Sequence, residues 1–468
     1  MSDLLAVHSR QGRRTLATVI LASGMAILDG SVVNIALRTI GTDLAAGLTQ
    51  LQWVLNGYLL SLASLILVGG ALGDRLGRRR MFLTGVAAFA ASSALCAFAG
   101  SPEQLVAFRV LQGVAAALMT PGSLAIIESG FRAEDRAAAI GTWAGVSGVA
   151  SAIGPLVGGF LIDHASWRWI FAINVPVCLL VLWLGRGIPE SCDRTDERGR
   201  FDYGGAVLGV AALGTLTWGL TSWRDWSAPA VAGWALAVGG LMTAFVLLER
   251  RPHAMAPVAL FRSRVFSAAN LMTLLVYGAL GSVIFLLVLQ LQVTAGYTPL
   301  QAGIATLPMT VFMLLFSSRA AAVAARTGPR VPMSVGPMVC AAGVLLLARV
   351  GDDASYVVHV LPGMVLFSIG LTMLVAPLTA AVLGAAPDDR AGVASGINNA
   401  VARSGALLSV AALPALVGLT GDDYRDPVAL TAGFSTGLTL CAGLLVMGGT
   451  VSWFGLRPEH TAASVEVR

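Results

Sequence analysis

The chain has 468 residues, 56% of them hydrophobic and only 12% charged, with a mean hydropathy of +0.79, whereas soluble domains carry about 25% charge. So little polar surface argues against a soluble globule and therefore against the soluble enzymes. The basic excess is all arginine, there being no lysine, and a net charge of +5 over this length does not indicate a nucleic-acid partner.

The opening MSDLLAVHSRQGRR has no apolar run before its arginines, so the first apolar helix is expected to be retained and to serve as the insertion signal. A bilayer core of about 30 Å needs about 20 apolar residues per helix. Breaks at charged or Gly/Pro-rich stretches give apolar segments that begin near Thr15, Gln50, Met81, Glu103, Ala137, Trp169, Tyr203 and Pro229. Six more begin near Phe266, Gln301, Val331, Val357, Gly392 and Thr431, making fourteen predicted spans. The longest hydrophilic stretch, residues 186–202, reads as a connector, which leaves no room for a soluble domain.

Loops kept in the cytoplasm carry the positive excess. With the N-terminus inside, most arginines fall on the inner side, including Arg75, Arg78, Arg79, Arg80, Arg132, Arg194, Arg198, Arg200, Arg326, Arg330, Arg457 and Arg468. Arg38, Arg168, Arg224, Arg349 and Arg425 are left outside, and an even span number returns the C-terminus to the cytoplasm. A weak repeat supports two halves: GDRLGRRR at 73–80 follows the second span and AARTGPR at 324–330 the tenth, aligning Arg75 with Arg326, Gly77 with Gly328 and Arg79 with Arg330. Parallel halves around a central site are a transporter architecture. The expected division is an N-terminal six-helix bundle (1–187), a linker with two additional spans (188–265) and a C-terminal six-helix bundle (266–468).

Asp29 is the one acidic residue placed firmly within a span, between AIL and GSVVNIA. A charge at the bilayer centre costs about 2.5–3.5 kcal/mol on insertion scales and usually faces a cavity or a partner. Proton handling is one reading of Asp29; a carboxylate hydrogen-bonded to helix ends is the other. Arg109 in the fourth span falls within about 4–5 Å of the same depth at 1.5 Å per residue, and Arg403 is the second firm intramembrane arginine. Arg319 and Glu128 are read as interfacial, the latter with Arg132 one turn on.

Several stretches carry a family resemblance. GALGDRLGRRR (70–80) resembles the cytoplasmic signature of the major facilitator superfamily. LVAFRVLQGVAAA (105–117), with Arg109, Gln112 and Gly113, resembles the signature of its proton-coupled members, and Gly141, Gly154, Pro155, Gly158 and Gly159 fit the antiporter signature. LDGSVVNIAL (28–37) and WRWIFAINVP (167–176) are similar to the patterns of fourteen-helix drug/proton antiporters, although Arg38 stands where proline is usual. The resemblance implies an all-α polytopic membrane protein of the major facilitator fold, with two six-helix bundles plus two extra helices. It implies proton coupling through Asp29 and Arg109, and a conformational latch built from Gly70, Gly73, Asp74, Arg75, Gly77, Arg78 and Arg79. The helix 5 glycines let a neighbouring helix approach, and Pro155 invites a bend.

Candidate groups for a substrate cavity are Asn34, Asn56, Tyr58, Gln112, Tyr277, Gln290, Asn398, Asn399 and Arg403, any of which could instead join neighbouring helices. Few polar groups in an apolar lining suit hydrophobic or amphipathic small molecules, with antibiotics among the candidates. Proton-coupled export by alternating access is the expectation; a proton symporter for uptake of a small solute is the alternative. An enzyme is not expected, because the five histidines are scattered and no nucleophile spacing is present. The five cysteines form no C-x-x-C pair, so no metal site and no cofactor is expected, the proton gradient being the driving force. Expected partners are protons, a small-molecule substrate and the lipid bilayer of the cell membrane, with no nucleic acid and a monomeric state.

Overall fold

A computed structural model describes residues 4–191, 202–251, 255–387 and 390–456. Arg194, Arg198, Arg200, Arg457 and Arg468, counted above towards the inner side, lie outside the described residues, as do Cys192 and most of the hydrophilic connector. Within the described residues the chain is helical, with sixteen α-helices and a single isolated bridge between Leu5 and Phe131. The first group is α1 (Arg10–Asp43), α2 (Leu48–Leu76), α3 (Arg78–Ala97), α4 (Pro102–Gly130), α5 (Ala133–His164), α6 (Trp169–Ala172) and α7 (Asn174–Gly185). Next come α8 (Tyr203–Ser222) and α9 (Ala228–Leu248). The last group is α10 (Arg264–Val293), α11 (Pro299–Ala305), α12 (Leu307–Thr327), α13 (Arg330–Leu347), α14 (Leu361–Gly384), α15 (Ala391–Leu416) and α16 (Pro427–Gly455).

Among the described residues, twelve helical stretches are long and apolar enough to cross a bilayer. The 32-residue α5 and the shorter apolar stretch Trp169–Gly185 stand beside them. Two segments read as continuous from the sequence are broken. The sixth divides at Ile173, shortly before Pro176, and the tenth at Thr306, just before Pro308. In each case the proline lacks the N–H that would bond the carbonyl four residues back. Elsewhere the ends are capped as sequence chemistry demands: the Ser9 hydroxyl accepts from the Gly12 N–H, and Thr298 and Gln301 form a reciprocal capping box.

The internal repeat is visible in the backbone. Gly77 closes α2 and Gly328 closes α12, with φ of +106° and +76° respectively. This is the region where a side chain is strained, so glycine is required at both turns. Arg330, opening α13, donates from Nε to the Trp453 carbonyl at 2.9 Å and stacks over the Trp453 ring.

The two groups of helices are fastened at the end where α1 passes to α2. There the Leu48 N–H donates to the Gly421 carbonyl (2.8 Å) and the Tyr424 hydroxyl to the Ala46 carbonyl (2.8 Å). Arg425 reaches the Gly41 carbonyl (2.9 Å), Gln52 the Val410 carbonyl (2.7 Å) and Gln292 the Ile35 carbonyl (2.9 Å). The larger apolar core runs through this end, joining Val33, Ile40 and Leu51 to Leu286, Leu289 and Phe434. The opposite end lies by the α2–α3 and α12–α13 turns; exposed apolar residues along α5 and α12 include Val146, Ile153, Leu315 and Val323. A cavity of about 660 Å³ lies there among α10, α12 and α14.

The α8–α9 pair sits against both groups, with α8 touching α2 and α15. α9 has no buried residue and holds to α8 through Trp234, whose indole N–H donates to the Thr215 carbonyl at 2.8 Å over the space left by Gly219.

Candidate functional site

The site grows from one carboxylate. Asp29, on α1, is 1% exposed, and both of its oxygens accept hydrogen bonds. Arg109 Nη1 on α4 reaches Oδ2 at 2.6 Å. Gln112 Nε2, one turn further along α4, and Asn174 Nδ2 of α7 each donate to Oδ1 at 2.9 Å. Both amides also donate to the Ser93 hydroxyl on α3, at 2.8 and 3.3 Å. Arg109 is likewise 1% exposed; its Nη1 donates to Gln112 Oε1 at 2.6 Å and its Nε to the Val54 carbonyl of α2 at 3.1 Å. The guanidinium lies 4.3 Å from the Tyr58 ring centroid and 5.7 Å from that of Phe171, and aromatic faces attract cations.

The depth argument therefore brings Asp29 and Arg109 into direct contact, and Gln112 belongs to the same network. Asn174 and Ser93 complete it without having been singled out. Asn174 stands inside the WRWIFAINVP stretch, so a signal was present; Ser93, a small polar residue on an apolar helix, gave none.

Arg403, on α15, comes close enough to Tyr58 and Tyr277 to interact electrostatically, and its buried Nε has no hydrogen-bond partner among the described residues. Tyr58 thus lies against Arg109 and within electrostatic reach of Arg403 from the other half. Asn56 is fully buried and neither of its side-chain polar atoms has a partner among the described residues. The other cavity candidates are engaged locally. Gln290 donates to the Val350 carbonyl (3.0 Å) and the Thr431 hydroxyl (2.9 Å) within the second half. Asn398 ties α15 to α10 through Asn270 (3.1 Å) and Thr273 (2.9 Å). Asn34 and Asn399 donate to backbone carbonyls one turn back on their own helices.

At the α2–α3 turn, Asp74 Oδ1 accepts from Arg78 Nη2 (2.9 Å) and Nε (3.0 Å), and Arg75 lies in the last turn of α2. The exposed Glu190, unnoticed in the connector, accepts the Arg79 and Arg80 backbone N–H groups at 3.0 and 3.2 Å. A carboxylate there matches the positive end of α3. Gly70 lies against Pro121, while Gly73 faces open space; the tight α2–α4 approach is made instead by Gly69 over the Ala117 carbonyl. Arg132 has Glu134 at 3.9 Å as its acidic neighbour, in place of the expected Glu128.

The helix 5 glycines divide by direction. A Cβ at Gly154 would meet Ser31 and one at Gly158 would meet Val32, both on α1, whereas at Gly159 it would lie 2.5 Å from the Leu300 Cα in the other half. Gly303 of α11 returns the contact against the Pro155 carbonyl. Gly141 has nothing near it and makes no close approach.

The described residues contain no group of three His, Cys, Asp or Glu side chains able to hold a metal. Residues 19–410 match the family model described as Major Facilitator Superfamily. The chain is 36% identical over 423 residues to the tetracenomycin C resistance and export protein of Streptomyces glaucescens, covering 88% of this chain and 77% of that protein. It is 32% identical over 464 residues to the puromycin resistance protein of Streptomyces alboniger, covering 96% and 92%. Among solved structures, a bacterial homologue of the human lysosomal transporter Spinster superposes with a TM-score of 0.68 at 15% identity (96% and 97% covered), and a D-xylose–proton symporter with 0.67 at 16% (95% and 98%). At such identities these likenesses speak to the fold alone. Match and relatives agree with the helix plan: the chain belongs to the major facilitator superfamily of multi-pass membrane transporters, not to the enzymes.

Proposed function

We propose that the protein exports hydrophobic or amphipathic small molecules, antibiotics among them, in exchange for protons. The observation that carries this reading is the buried Asp29–Arg109 pair with its amide collar. Both carboxylate oxygens already accept hydrogen bonds, so a proton arriving at Asp29 competes with Arg109 and the two amides for the carboxylate. Protonating Oδ2 turns an acceptor into a donor facing Arg109 and severs the ion pair. The freed guanidinium already rests on Tyr58, which interacts electrostatically with Arg403 of the other half, and this links the charge state of Asp29 to the seam between the halves.

The relatives named for antibiotic resistance and export support the outward direction. In this reading α5 and the broken Trp169–Gly185 stretch join the twelve long apolar stretches as spans, giving fourteen. Both termini are cytoplasmic in the cell membrane, the protein acts as a monomer, and residues 1–187, 188–265 and 266–468 are the two bundles and their inserted pair. The end sealed by Tyr424 and Arg425 is then the outer one. Gly154, Gly158 and Gly159 let α5 close against α1 and α11, and the Asp74–Arg78 turn serves as the inner latch.

Everted vesicles loaded with an imposed pH gradient and offered puromycin or tetracenomycin C test the assignment. Gradient-driven uptake is expected for the wild type and its loss for Asp29→Asn; unchanged uptake in the variant overturns the role of Asp29.

A further inference from the structure

Two carboxyl groups meet where the inserted pair begins and ends. Asp202 caps α8, its Oδ1 accepting the Gly205 N–H at 2.8 Å. Glu249 follows the last residue of α9 and is only 1% exposed. Its Oε2 accepts the Ala256 N–H at 2.7 Å, from the segment that leads into α10. The remaining oxygens, Asp202 Oδ2 and Glu249 Oε1, converge over the Gly205 Cα, where any Cβ would collide with both. Glu249 Oε1 finds no N–H or hydroxyl donor among the described residues, and the group within its hydrogen-bonding reach is the Asp202 carboxyl.

Two acceptors in contact repel unless a proton lies between them, which is why paired carboxyl groups hold one in common. No described cation takes its place. Arg250 and Arg251, next in sequence, and Arg262, at the end of the returning segment, are all exposed, as is Tyr203 beside Asp202. The cavity next to Glu249 is lined from α2, α10 and α15 by apolar groups and the neutral Ser64, Ser267, Asn270 and Ser404. The helices also sort the two acids. Asp202 sits at the positive end of α8, which favours its anion, whereas Glu249 sits at the negative end of α9, which disfavours one. Burial above all, with the Asp202 charge adding to it, holds Glu249 above the usual carboxylate range against the opposing Ala256 N–H. Every one of these effects puts the proton on Glu249.

We propose that Glu249 Oε1–H donates to Asp202 Oδ2 and that this pair is a pH-operated clasp, joining the start of α8 to the end of α9 and, through Ala256, to the segment entering α10. When the proton leaves to water, two carboxylates remain in contact at a buried position, and the first turn of α8 parts from α9. The clasp closes below the raised titration point of Glu249 and opens as pH climbs through it. Because α8 touches both α2 and α15, its state sets how firmly the inserted pair rests on the seam between the halves. It operates independently of Asp29 and of the substrate.

Two measurements on the full-length protein in lipid nanodiscs test it. In an infrared pH titration, a protonated-carboxyl band should persist above the usual carboxylate range; it should vanish in Glu249→Gln and remain in Asp29→Asn, so failure of the proton-coupling assignment is read separately. For the opening itself, spin labels at Val207→Cys and Leu247→Cys, both exposed positions, are introduced into a chain whose native cysteines are replaced by alanine. A single short distance is expected at low pH, with the ratio of long to short distances rising about tenfold per pH unit below saturation, as release of one proton requires. In Glu249→Gln the amide donates to Asp202 as the acid does, and in Asp202→Asn the new amide donates to Glu249 while the cap is kept; both should hold the short distance at every pH. His253→Ala should leave the transition in place, which separates the carboxyl pair from an imidazole titrating in the same range. A distance that does not change with pH, an equal pH response in both neutral variants, a transition lost with His253→Ala, or a carboxyl band unaffected by Glu249→Gln would each overturn the proposal.

Discussion

Removing one member of the Asp29–Arg109 pair should cost far more than removing both. Each side chain is 1% exposed, and their contact is 2.6 Å. Arg109→Gln leaves a buried carboxylate with only Gln112 and Asn174 as donors. Asp29→Asn leaves a buried guanidinium with Gln112 Oε1, the Val54 carbonyl and the Tyr58 ring. Breaking a buried pair from one side typically costs about 3–5 kcal/mol because the remaining charge is uncompensated. We expect Arg109→Gln at the upper end of that range and Asp29→Asn at the lower, since Arg109 keeps more partners. The double variant leaves no charge in the cluster and should come within about 1–2 kcal/mol of the wild type, as neutral replacements of buried pairs often do. Reversible unfolding in mixed SDS–lipid micelles, followed by tryptophan fluorescence, closes the double-mutant cycle. A double variant as unstable as the sum of the two singles would refute the reasoning, since the groups would then be acting independently.

Asn174→Leu removes a donor from Asp29 Oδ1 and one from Ser93, and should lower stability by about 1–3 kcal/mol in the same assay; Ser93→Ala should cost less, because it removes only an acceptor. Gly159→Leu drives a side chain into the Leu300 backbone across the seam and should abolish transport while Gly141→Leu, facing open space, leaves it near wild type; equal effects would contradict the assignment of α5 contacts. Glu249 has its pKa raised by burial, so the native state holds its proton to higher pH than the unfolded chain, and stability falls as pH rises from the ordinary carboxylate value to the raised one. Thermal inactivation in detergent between pH 4 and 8 should show that fall in the wild type and a shallower one in Glu249→Gln.

The sequence already exposed what a membrane makes expensive. A carboxylate and an arginine inside apolar runs stand out because each costs several kcal/mol unless matched, so Asp29, Arg109 and Arg403 were identifiable one by one, and helix rise brought the first two to one depth. Neutral polar residues carry no such penalty. Asn174 and Ser93 therefore could not be told from the many asparagines and serines that only join helices, and Gln290 and Asn398, chosen as cavity groups, turn out to be joined in that way. The α2–α3 turn was legible as a motif, but the acidic cap of α3, Glu190, comes from a distant connector with no periodic pattern. Glu249 was hidden for a different reason: next to Arg250 and Arg251 it reads as an interfacial charge, and only the return of residues 255–261 over α9 buries it. The breaks at Ile173 and Thr306 follow from prolines that were in plain view, yet a proline inside a span can also be absorbed, as Pro121, Pro155 and Pro377 are.

The central claim, exchange of substrate for protons through Asp29, is tested most directly by the sign of proton movement. Everted vesicles that carry the protein and are acidified inside by respiration should lose part of their pH gradient when a compound that the wild type takes up under an imposed gradient is added outside, as protons leave in exchange for entering substrate. The same vesicles with Asp29→Asn should keep their gradient. Further acidification of the lumen on substrate addition would contradict the account, because it would make the protein a symporter.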